Sequence, residues 1–82
     1  MRVVYEGRAI DPLAGFLSDD PAGVAALLDA VDRLADDPRP SDSFPCGSPD
    51  LRRLRVGRYR VVYEISSDAV SVGNVARTRG VG

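Results

Sequence analysis

The segment Tyr59-Arg60-Val61-Val62-Tyr63-Glu64-Ile65 constrains the fold more than any other part of the chain. Tyr59, Val61, Tyr63 and Ile65 recur at period two against Arg60, Val62 and Glu64, the pattern of a strand with one face buried. A second alternating run, Leu51 to Val56, precedes it, with Leu54 and Val56 on one face and Arg53 and Arg55 on the other. Only Gly57-Arg58 separates the two runs, and a two-residue link of this kind uses glycine for positive φ. Ser67-Asp68 makes an equally short turn into a third run, Ala69 to about Ala76. Links this short join antiparallel neighbours only, so the segment is predicted to be a three-stranded meander.

Upstream, residues 2 to 6 read as a short strand in which Val3 and Tyr5 alternate with Arg2, Val4 and Glu6. A first helix is expected from Arg8 to about Ser18. Its regular part starts near Asp11, because Pro12 fits best in a first turn. Leu13, Phe16 and Leu17 then share a face. Asp20-Pro21 is a restart signal, an N-cap followed by proline at the first helical position. The second helix is expected from Pro21 to about Ala35, with Val24, Leu27, Leu28, Val31 and Leu34 on its apolar side. Asp37-Pro38 ends it, since a residue before proline is pushed out of the α region. Residues 37 to 50, with four prolines, are expected to form a loop carrying Cys46. The order strand, two helices, meander predicts a single α+β domain over residues 1 to 82, with both helices on one face of a four-stranded sheet. Leu13, Phe16, Leu17, Leu27, Leu28, Val31, Leu34, Val61, Tyr63 and Ile65 are its expected core.

Several chemistries are excluded by what these 82 residues lack. There is no histidine, no lysine and one cysteine. Ser-His-Asp and Cys-His catalysis, the usual zinc sites and lysine Schiff bases are therefore out of reach. No phosphate-binding glycine loop is present, so no cofactor and no metal are expected. One cysteine makes no internal disulfide, and the start of the sequence has no signal-peptide apolar region. No apolar run approaches the roughly 18 residues of a membrane span, and a cytoplasmic location is expected. The net charge of −1 conceals an asymmetry. Residues 1–50 carry four arginines against ten acids, a net of −6, whereas residues 51–82 carry seven arginines against two acids, a net of +5. The C-terminal third thus presents a field suited to an anionic partner.

The stretch Leu54-Arg55-Val56-Gly57-Arg58-Tyr59-Arg60-Val61-Val62-Tyr63-Glu64-Ile65 resembles the central signature of the RelE branch of the RelE/ParE toxin superfamily. Leu34-Ala35-Asp36-Asp37-Pro38-Arg39-Pro40 is similar to the family's helix end, and Val70-Ser71-Val72-Gly73-Asn74-Val75-Ala76-Arg77 to its last strand. The resemblance covers nearly the whole chain. It implies the toxin of a type II toxin–antitoxin pair, neutralised by a cognate antitoxin protein. RelE-like members are ribosome-dependent mRNA interferases in which the 2′-hydroxyl attacks its own phosphodiester. ParE-like members share the fold and inhibit DNA gyrase without cleaving anything, and a third alternative is an inactive module that binds only its antitoxin.

The resemblance carries residues over unevenly. Arg60 matches the arginine that points at the scissile phosphate, and Arg53 and Arg55 match basic positions of the preceding strand. A guanidinium stays charged and binds two oxygens at once, so these three suit a phosphate clamp. Arg77 stands where some members have a histidine general acid, and Gly82 where a tyrosine is common. The candidate catalytic residues are therefore Arg60, Arg55, Arg53 and Arg77, and Arg52, Arg58 and Arg79 are candidate RNA contacts. Glu64 is expected beside the arginines as a structural partner. If Gly57-Arg58 is a two-residue link, Arg55 faces Arg60 across the hairpin. Facing like charges destabilise a sheet, which points to a site for an anion.

Overall fold

A computed structural model describes residues 1–78. In chain order the elements are β1 (Arg2–Tyr5), α1 (Gly7–Asp19), α2 (Pro21–Arg33), β2 (Ser43–Ser48), β3 (Leu51–Val56), β4 (Tyr59–Ile65) and β5 (Ala69–Arg77). The five strands form one sheet in the order β1-β5-β4-β3-β2. β1 runs parallel to β5, and every other pair is antiparallel. The chain leaves β1, crosses through both helices and the meander, and returns alongside β1.

The helices cover one face of this sheet. Val24, Leu27, Val31 and Leu34 of α2 and its end pack with Ala9 of α1 against Leu54, Tyr59, Val61, Tyr63, Val70, Val72 and Val75. The two buried tyrosines keep their polar tips satisfied. Tyr63 donates to the Pro38 carbonyl at 2.7 Å, and Tyr59 to the Asp20 carboxylate at 2.8 Å. Gly57, at φ +61°, makes the β3–β4 turn, and the register places Val56 opposite Tyr59 and Arg55 opposite Arg60.

Four details depart from the sequence expectations. The sheet has five strands rather than four, because the proline-rich segment holds β2. Pro45 has no backbone donor for a central ladder, and it sits on an edge strand, where one side of the backbone needs no partner. A register shift between Pro45 and Ser48, with Gly47 at φ +101°, accommodates the rest. Second, α1 begins at Gly7, so Pro12 lies inside the helix. Burial of Ala9 and partial burial of Leu13 and Phe16 hold the helix despite the lost bond. Third, that inward row, Ala9-Leu13-Phe16, turns Leu17 outward, and Leu17 is 50% exposed. Fourth, α2 ends at Arg33 and continues as a turn. Leu34 is still buried, whereas Leu28 is only partly so.

The edge strand is held by a side chain from its neighbour. Arg52 donates from Nε to the Ser43 hydroxyl at 2.9 Å and from Nη2 to the Ser43 carbonyl at 3.0 Å. Ser43 is buried, and its hydroxyl donates to the Pro40 carbonyl at 3.1 Å. Removing Arg52 leaves a buried carbonyl short of a donor, a cost of roughly 1–3 kcal/mol. Arg52→Ala is therefore expected to lower the thermal midpoint by several degrees, read by circular dichroism. An unchanged midpoint would show that β2 holds without the clasp.

Candidate functional site

The outer face of the sheet, opposite the helices, carries Arg53 and Arg55 from β3 and Arg60 from β4. All three are exposed. Together with Phe44 of β2 they line a hollow of about 280 Å³. The strands dictate this grouping. Arg53 and Arg55 are two apart, so both side chains leave the same face. Arg60 is the cross-strand partner of Arg55, and Phe44 is that of Arg53.

The electrostatics of the hollow are one-sided. None of these three arginines has a carboxylate partner among the described residues. Arg55 donates from Nε to the Gly57 carbonyl at 3.2 Å, which aims its guanidinium toward the hairpin end. Glu64 does not pair with them. It lies four residues beyond Arg60 on the same strand, about 13 Å away at ~3.3 Å per residue, opposite Leu51. Directly opposed like charges destabilise a sheet. A purely structural sheet gains nothing from this arrangement, whereas a polyanion gains three forked donors at once.

The other arginines singled out in the sequence are placed elsewhere. Arg52 leaves the inner face of β3 and clasps Ser43. Adjacent residues of a strand point to opposite faces, so Arg52 and Arg53 cannot serve one surface. Arg58, in the hairpin turn, contacts Asp20 at 3.3 Å and lies 5.9 Å from the Tyr59 ring centroid. Arg77 also lies on the helix side. It contacts Asp19 at 2.6 Å and covers the Phe16 ring at 4.7 Å from its centroid. The hydrogen bond to Asp19, then that to Tyr59, raises its pKa above the ordinary arginine value, so it holds its proton still more firmly. The structure therefore does not bring Arg77, a candidate catalytic residue, together with Arg53, Arg55 and Arg60. A bulge causes this: Val62 pairs with Asn74 but Tyr63 with Val72, leaving Gly73 as an extra residue that reverses the facing of everything after it. Arg79 lies outside the described residues.

Phe44, which the sequence pattern alone does not single out, is 59% exposed beside the arginines. Its only signal was an aromatic residue in a stretch otherwise read as loop. Among the described residues, no group of three or more acidic, cysteine or histidine side chains is arranged to hold a metal ion. No helix among them is long and apolar enough to cross a membrane.

A helical hairpin thus lies across one face of a five-stranded sheet, with an arginine cluster on the bare face. A family model described as the ParE toxin of the type II toxin–antitoxin system parDE matches residues 8–81, and the chain belongs to that family. Solved structures agree in fold. The YoeB/ParE toxin from Agrobacterium tumefaciens superposes with a TM-score of 0.79 at 16% identity, covering 96% of this chain and 100% of that one. A chain of the RelBE2 toxin–antitoxin complex from Mycobacterium tuberculosis gives 0.78 at 21% identity, covering 94% and 90%. The chromosomal ParDE system of P. aeruginosa gives 0.78 at 12% identity, covering 96% and 97%. No curated protein sequence matches. The protein is thus a toxin of the type II toxin–antitoxin class.

Proposed function

We propose that this toxin cleaves messenger RNA on the ribosome in the cytoplasm, and that Arg53, Arg55 and Arg60 hold the scissile phosphodiester. The observation that carries this reading is the facing, acid-free Arg55–Arg60 pair with Arg53 beside it on an open sheet face. The chemistry is internal to the RNA. The 2′-oxygen bonds to phosphorus, the bond to the 5′-oxygen breaks, and a 2′,3′-cyclic phosphate is left. Water takes the 2′-hydroxyl proton and returns one to the leaving oxygen, so the balance requires no metal or cofactor. Charge builds on the phosphoryl oxygens in the transition state, where preorganised donors act most strongly. One such donor is worth about 10²–10³ in rate. Arginine is a poor proton donor near neutrality, so the cluster's contribution is positioning and charge stabilisation.

The partner that silences it is a cognate antitoxin with an acidic or amphipathic segment crossing the arginine face or pairing with a sheet edge. β1 and β2 are the two edges of the sheet. A second reading, gyrase inhibition without cleavage, is favoured by the match to a ParE family and by the lack of a neutral-range acid or base among the four residues lining the hollow. Purified toxin added to a ribosome-programmed translation reaction separates the two. Cleavage of the mRNA within its reading frame, with gyrase supercoiling unaffected, supports the proposal. Intact mRNA with blocked supercoiling supports the second reading.

A further inference from the structure

We infer that Phe44 is a stacking platform for the nucleobase next to the phosphate held by the arginines. This inference rests on the RNA-binding reading above and adds a base subsite to it. Phe44 is 59% exposed, yet it faces the arginine hollow and forms one of its walls. Two other aromatic rings near arginines, Phe16 and Tyr59, already carry a guanidinium. No such cover lies on Phe44 among the described residues, so its ring remains available to a flat partner. Its backbone is fixed in advance. The preceding residue, Ser43, is buried and clasped twice by Arg52, so ordering the platform costs little more than two side-chain torsions.

The spacing suits one nucleotide. Phe44 lies directly opposite Arg53, ~5 Å away at the usual strand separation, and Arg55 and Arg60 sit two residues further along their strands, ~8 and ~12 Å away along the backbone. A base and its own or the neighbouring phosphate lie that far apart. The hollow of about 280 Å³ falls at or below the lower end of whole-ligand pockets, roughly 300–1,000 Å³. It is sized for one unit of a polymer lying across the face. Stacking on a bare ring reads no base edges, so the subsite favours any base over none and ranks the bases weakly.

The test measures fluorescence anisotropy of purified toxin with a short labelled single-stranded RNA and with an abasic ribose-phosphate oligomer of equal length. Phe44→Ala is expected to weaken RNA binding by roughly 5- to 150-fold, the equivalent of about 1–3 kcal/mol of stacking. Its affinity for the abasic oligomer and its salt dependence should stay at the wild-type values. Phe44→Trp should retain RNA binding and Phe44→Leu should lose it. Arg60→Ala should weaken both ligands and reduce the salt slope by about 0.7. If Phe44→Ala binds RNA like wild type while Arg60→Ala does not, the clamp stands and the platform is overturned. Equal weakening of both ligands by Phe44→Ala also overturns it, by making Phe44 a mere support for the arginines. If wild type binds neither ligand, or Arg60→Ala binds both normally, the RNA-clamp reading itself fails.

Discussion

Arg60→Ala is expected to abolish growth arrest on induction while leaving the thermal midpoint unchanged or slightly raised. Arg60 faces Arg55 with no acid between them, so truncation removes a repulsion and breaks no ion pair among the described residues. The same truncation removes a forked donor from the phosphate, with an expected loss of about 10²–10³ in cleavage rate. Arg60→Lys should fall between wild type and alanine, because it keeps the charge and loses the fork. Arg55→Ala should act in the same direction more weakly, since Arg55 already spends one donor on the Gly57 carbonyl. Arg33→Ala is the control: its pair with Asp29 is exposed and local, worth about 0.3–0.5 kcal/mol, and neither toxicity nor melting should change noticeably. An Arg60→Ala protein that unfolds would make the residue structural and end the phosphate-clamp reading.

Gly23→Ala is expected to lower the thermal midpoint by about 10 °C, although alanine is the better helix former by roughly 1 kcal/mol. The reason is Asp20, which links the helical hairpin to the β3–β4 hairpin. Its carboxylate caps α2 by accepting from the Gly23 N–H at 3.1 Å, and it also accepts from Tyr59 at 2.8 Å and from Arg58 at 3.3 Å. A Cβ on Gly23 would lie only 2.8 Å from the Asp20 Cγ and closer still to one carboxylate oxygen. The cap must then move, and the buried Tyr59 hydroxyl loses its acceptor. The same contacts set a pH dependence. The Tyr59 hydroxyl first, then the Gly23 N–H and Arg58, hold Asp20 below its ordinary value of 3.8 against an opposing effect of burial. A carboxylate with a depressed folded pKa stabilises fully above its unfolded value. That contribution is lost as the pH falls through the folded one. Wild type should therefore lose stability below about pH 4, and Gly23→Ala should show a flatter acid limb. Thermal melts of both proteins at pH 7 and pH 3 test this. A more stable Gly23→Ala protein at pH 7 would refute the role given to Asp20.

What the sequence disclosed follows from which residues obey a local rule. The alternation of Tyr59 to Ile65 and the two-residue link at Gly57-Arg58 are local, and together they determine the Arg55–Arg60 pairing. The Asp20-Pro21 restart is local too, and α2 begins at Pro21. Three features depended on distant parts of the chain. β2 is a strand only because β3 offers it an edge, and its prolines otherwise argue for a loop. Phe44 faces the arginines only through that pairing. Arg77 turns to the helices because the extra residue at Gly73 reverses the facing of the end of β5, and alternation alone does not show a bulge. Helical spacing alone puts Leu17 in the core, but the inward direction of α1 is set by Ala9, Leu13 and Phe16.

The most direct test of the central claim is a transcriptome-wide map of 2′,3′-cyclic phosphate ends after brief induction of wild type and of Arg60→Ala. The account predicts new cyclic ends within translated reading frames for wild type, and none above background for Arg60→Ala at equal protein level. An absence of new ends in arrested wild-type cells, with plasmid supercoiling collapsed instead, would contradict it.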